Sequence, residues 1–96
     1  QMRHGDEEAN PVARIAGPAR VVGEQHVVDV EVSNGGDLTA SDVQVSASLV
    51  VDGETTEGDQ TIDFLAGGEV EELVFVFAAD PADGELTVAV TSFGVP

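Results

Sequence analysis

The chain has 96 residues, no cysteine, 42% hydrophobic residues and a formal net charge of −16. That length holds one domain with a modest core, and without cysteine there are no disulfides, no thiolate chemistry and a poor ligand supply for zinc. A surface this acidic repels phosphate backbones and anionic headgroups, which argues against nucleic-acid binding.

The charge is unevenly placed. Arg3, Arg14 and Arg20 are the only Arg or Lys residues, and they balance Asp6, Glu7 and Glu8 within the first twenty positions. All the remaining acidic residues fall in residues 21–96, which contain no Arg or Lys. Three readings of this acidity stay open. It is a solubilising surface in a salt-adapted setting, a docking face for a basic partner, or a loose binder of divalent cations. No stretch reaches the roughly 18 apolar residues of a membrane helix, and no signal-peptide core is present. The chain opens on Gln1 instead of Met, so it reads as a fragment or processed form, with an upstream anchor left open.

Residues 1–10 lack an apolar period and read as a flexible tail or linker, with His4 solvated in it. The domain then covers 11–96. Val12, Ile15 and Ala16 predict a short first strand. Gly17-Pro18 interrupts it, and since proline cannot donate to a ladder the strand belongs at an edge or is kinked. Arg20-Val21-Val22 continues it to a turn at Gly23-Glu24. Residues 25–33 alternate, with Val28, Val30 and Val32 on one face and Asp29, Glu31 and Ser33 on the other. His26 shares the phase of the valines and reads as the end of the core face. Asn34-Gly35-Gly36 is a turn in which Asn and Gly supply positive φ.

The next strand spans Ala40–Val51, with Val43, Val45, Ala47, Leu49 and Val51 inward. Asp52-Gly53 is a two-residue hairpin turn. Glu54–Gln60 reads as a polar edge strand or irregular return, followed by a short strand over 61–65 with Ile62 and Phe64 inward. Ala66-Gly67-Gly68 turns the chain. Leu73–Phe77 is continuously apolar, which predicts cover on both faces or a central place in a sheet. A covered second face would indicate a partner or a dimer. Phe75 and Phe77 belong to the core. Asp80–Gly84 is a turn, and Glu85–Ser92 is the last strand, with Leu86, Val88 and Val90 inward.

Little here supports chemistry. A nucleophilic serine needs a base in reach, and Ser33, Ser46, Ser48 and Ser92 have only His4 and His26 to draw on. No Gly-x-Ser-x-Gly elbow and no phosphate loop with its lysine appears. The carboxylates are numerous enough to form a glycosidase pair, but the four phenylalanines sit on strands and there is no Trp or Tyr platform. The turns Asp80-Pro81-Ala82-Asp83-Gly84-Glu85 and Asp52-Gly53-Glu54 gather carboxylates of the kind calcium takes, without the EF-hand order. The expectation is therefore no enzyme, with no catalytic, cofactor or metal residue assigned. A calcium- or glycan-binding accessory module is the alternative.

Six or seven strands with frequent turn signals and no helical period predict an all-β, antiparallel sandwich of immunoglobulin or fibronectin III style. Val28-x-Val30-x-Val32-x-Asn34-x-Gly36, then Ala40-x-x-Val43-x-Val45, and later Leu65-Ala66-Gly67-Gly68 before the apolar strand, resemble the bacterial CARDB-like domains. These are immunoglobulin-like modules related to cell adhesion. Phe64–Gly68, Asp80-Pro81 with Gly84-Glu85-Leu86, and the terminal Phe93-Gly94-Val95-Pro96 are similar, more narrowly, to a family of short bacterial proteins with one N-terminal membrane helix and one such domain. That resemblance implies an extracytoplasmic, membrane-tethered module. Its partner would be a membrane or surface protein, or weakly a second copy of itself, and it would meet the membrane only through a missing anchor. Its role would be interaction or scaffolding.

Overall fold

A computed structural model describes residues 8–96. The described residues form seven strands: β1 (Pro11–Ile15), β2 (Arg20–Val22), β3 (Gln25–Asn34), β4 (Ala40–Val51), β5 (Glu54–Leu65), β6 (Val70–Phe77) and β7 (Glu85–Gly94), with one 3-10 turn at Pro81–Asp83. All pairings are antiparallel. Sheet A has β3 at its centre. Since β6 runs along residues 26–33 of one side of β3, β1 and β2 share the other side. They are one edge strand broken at Gly17-Pro18, the interruption the proline imposes. Sheet B has the order β5-β4-β7. The two sheets pack face to face as an immunoglobulin-like β-sandwich.

The alternation in β3 and β4 builds the core. Val28, Val30 and Val32 from β3 meet Val43, Val45, Ala47 and Leu49 from β4, and Phe75 and Phe77 from β6 close the layer; all are buried. Burying each Val, Leu or Phe contributes about 1.5–3 kcal/mol, and Leu86, Val88 and Val90 of β7 pack against this core partly buried.

Asp52-Gly53 forms the expected hairpin turn between β4 and β5. Both residues take positive φ (53° and 80°), the twist that suits a two-residue hairpin. The turn at Asn34-Gly35-Gly36 works differently from the expectation. None of the three has positive φ. Gly36 is instead required by close approach, since a Cβ there would lie 1.7 Å from the carbonyl oxygen of Glu8. Residues 9 and 10, placed in the tail by sequence, pack against this corner: Ala9 is buried, and the Asn10 N–H donates to Asn34 Oδ1 at 2.9 Å. Residues 1–7, with His4 and Arg3, lie outside the described residues.

Three further expectations are corrected. Residues 54–65 form one continuous strand, because β4 pairs with them from Val51↔Glu54 to Ala40↔Leu65. Phe64 points outward, 64% exposed, and Leu65 is the buried residue. The inward positions there are Ile62 and Leu65, opposite Val43 and Ala40, so strict alternation breaks where Asp42 adopts φ 49°. Finally, among the described residues β6 pairs only with β3 and is an edge strand. Its inner residues Phe75 and Phe77 are core, but Val74 and Val76 on the other face remain about half exposed.

Candidate interaction face

Residues opposite one another across a ladder share a face, so the register fixes what the outer surface of sheet A presents. Val12, Ser33 and Val70 form one row; Arg14, Glu31 and Glu72 the next; then Asp29 with Val74; then Arg20, Val27 and Val76; then Val22 with Gln25. Val12, Val22, Val70, Val74 and Val76 are between 45% and 55% exposed. Val27, on the central strand between Arg20 and Val76, is reduced to 9%.

The arginines were missed by sequence reasoning as functional elements, and Asp29 and Glu31 were assigned to the acidic surface. The structure neutralises both acids. Arg20 forks onto Asp29 with Nε to Oδ2 at 2.9 Å and Nη2 to Oδ1 at 2.8 Å. The bidentate match is the strong geometry for this pair. It holds the Asp29 carboxyl below the ordinary carboxylate range, chiefly through those hydrogen bonds, and raises the Arg20 guanidinium further. Arg14 Nη2 pairs with Glu31 Oε1 at 2.5 Å. The only sequence signal was the crowding of all cations into the first twenty residues; register, which sequence does not print, decides that they fall beside β3.

The outer surface of sheet B is the opposite in character. Ser46 and Ser48 of β4 lie between Asp59 and Glu57 of β5 on one side and Ala89 and Thr87 of β7 on the other. No Arg or Lys belongs to this sheet.

The residues considered for chemistry are scattered. Ser33 is on the outer face of sheet A, Ser46 and Ser48 are on the outer face of sheet B, and Ser92 is near the end of β7. His26 is on the inward phase of β3, with Nδ1 3.9 Å from Asp80 Oδ1. The fold thus separates His26 from Ser33, Ser46 and Ser48. In the turn that gathers carboxylates, Asp80 caps the 3-10 segment, accepting from the Ala82 N–H at 2.9 Å. Among the described residues no three His, Asp or Glu groups converge to hold a metal ion. A shallow cavity of ≈ 120 Å³ beside the β4–β5 hairpin is lined by Leu49, Val51, Asp52, Glu54, Thr56 and Ala79. It is well below the several hundred Å³ of an ordinary small-molecule site. Among the described residues no helix is long and apolar enough to cross a membrane.

Comparison with known proteins adds to this geometry. No curated protein matches the chain in sequence. Among solved structures, the Salmonella enterica trimeric lipoprotein SadB is similar, with a TM-score of 0.56 and 14% identity over 92% of this chain and 51% of that one. That likeness is one of fold, and the chain spans about half the length of that protein. The CARDB family model matches residues 12–92, from β1 to the last residues of β7, and the chain belongs to the CARDB family.

Proposed function

We propose that the domain is a non-enzymatic interaction module that docks through the outer face of sheet A. On this reading it is displayed outside the cytoplasm by a small membrane-anchored bacterial protein. The observation that carries the docking face is local. In a chain of net charge −16, the two described arginines stand on one surface and cancel the acids of its central strand, leaving half-exposed valines around them. Interface cores are depleted in charge and enriched in apolar contact relative to the remaining surface, and contiguous apolar patches on soluble domains mark contact sites. Membership of a family of surface-protein domains and a fold shared with a lipoprotein support the extracytoplasmic setting.

A photo-crosslinking residue placed at Val76, in the full-length protein in its own membrane, is expected to capture a protein chain. The same residue at Thr87 on the outer face of sheet B is expected to capture none. Capture from Thr87 with none from Val76 would sink the assignment of the face.

A further inference from the structure

We propose that the occupant of the outer face of sheet A is a second copy of this chain, in a weak, symmetric, face-to-face dimer. This rests on reading that face as the docking surface.

Two molecules that each carry −16 repel, so they can touch only where the charge is locally absent. The outward strand positions of sheet A hold Arg14 and Arg20 against Asp29, Glu31 and Glu72, one negative charge in net. No other broad surface of the described residues is at once nearly uncharged, continuous and open. The outer face of sheet B carries Glu57 and Asp59 with no cation. The β5 edge adds Glu54 and Asp63. The β6 edge has Glu71 and Glu72, and the Gln60 side chain already donates to the Val74 carbonyl there. The β1–β2 edge is broken at Gly17-Pro18. The β7 edge is uncharged from Leu86 to Gly94, but β1 lies against it.

Distance completes the argument. Packed sheets lie about 10 Å apart, so pairing through sheet A holds the two acidic outer faces of sheet B roughly 30 Å from one another. The screening length is about 8 Å at physiological ionic strength, and over that separation the repulsion is largely gone. A foreign basic partner would gain nothing from this face, since the attraction lies on the other sheet.

Size sets the strength. Three strands about 4.8 Å apart and roughly eight residues long give a patch of a few hundred Å² per copy, on the order of 1,000 Å² for the pair. That is below the size of a standard stable complex, so the dimer is transient. Salt gives the sign that separates the occupants. Screening strengthens contact between two acidic copies and weakens contact with a basic partner.

Sedimentation of the purified chain over a wide concentration range, at low and high sodium chloride, tests this. The mean mass is expected to climb from the 9.9 kDa monomer towards twice that value with concentration, and to climb further with salt. Val74→Glu, and independently Arg20→Glu, should weaken association by at least about tenfold, because each buries unpaired negative charge on both copies. Native circular dichroism of these variants separates lost contact from lost fold. Ala89→Glu on β7 should associate like the wild type. A monomer at every concentration and salt overturns the second copy; if crosslinking remains selective for Val76, the docking face survives with a foreign occupant, and if that selectivity is also lost both readings fall. Association lost in Ala89→Glu and kept in Val74→Glu overturns the proposal by moving the contact to the outer face of sheet B.

Discussion

The Asn34 side chain and the Leu65 backbone join the two sheets: Asn34 Nδ2, at the end of β3, donates to the carbonyl oxygen of Leu65, at the end of β5, at 2.9 Å. The same amide donates to the Leu38 carbonyl at 2.8 Å, while its oxygen accepts from the N–H groups of Asn10 and Gly36. Two donors and two acceptor sites are all that a side-chain amide has, and this one, 1% exposed, uses all four. It holds the loop after β3, the entry to β1 and the exit of β5 at one corner.

Asn34→Ala should therefore cost about 3 kcal/mol or more, since buried partners left unsatisfied cost roughly 1–3 kcal/mol each and water recovers part of that. Asn34→Asp should also destabilise, because it keeps the acceptors but turns a carboxylate oxygen towards two carbonyls. Urea denaturation reads both. A loss under about 1 kcal/mol in Asn34→Ala would show that the corner does not depend on the amide.

The reversed facing of Phe64 and Leu65 gives a second test. Leu65 is wholly buried and Phe64 is 64% exposed, although a strict period of two from Ile62 puts Phe64 inside. Leu65→Ala should cost about 2–5 kcal/mol through lost burial and a residual cavity. Phe64→Ser should stay within about 0.5 kcal/mol, as surface changes do. Equal losses, or the reverse order, would return Phe64 to the core.

Val28-Val30-Val32 and the run from Val43 to Val51 were legible because one buried face imposes a period of two. The hairpin at Asp52-Gly53 was legible because few residues accept its backbone. What failed depends on two strands at once. The flip before Leu65 follows from the matching break at Asp42 in its partner, and the edge position of β6 follows from topology, since a run like Leu73–Phe77 is equally apolar at an edge whose outer face stays half exposed. The candidate face was the least legible feature. In sequence Arg14 and Arg20 only balance the acids of the first twenty residues, and it is their pairing with Glu31 and Asp29 that neutralises the central strand of one surface. Asn34 was read as a turn residue because its four partners come from residues as far apart as Asn10 and Leu65.

The acidity has a measurable cost. All the cations lie in the first twenty residues, and β4, β5 and β7 have none, so the folded chain compresses unbalanced charge that the unfolded chain spreads out. The melting temperature should rise as sodium chloride is added, by screening. A value that stays flat or falls would mean that self-repulsion is not a significant term.

Acid acts in two directions, and a single variant separates them. Protonating carboxylates relieves the general repulsion. It also removes the Arg20–Asp29 pair, whose contribution has a definite sign. The folded Asp29 carboxyl is held below its ordinary range, mainly by its hydrogen bonds from Arg20. A depressed acid stabilises the fold above its unfolded pKa, and that stabilisation is lost as pH falls through the folded value. The stability gap between wild type and Arg20→Gln should therefore be small and constant near neutrality, because the pair is exposed to solvent, and should close as pH drops below the ordinary aspartate range. Denaturation midpoints of the two proteins across that range provide the measurement. A gap that widens in acid would show that Arg20 stabilises the fold through something other than the Asp29 carboxylate.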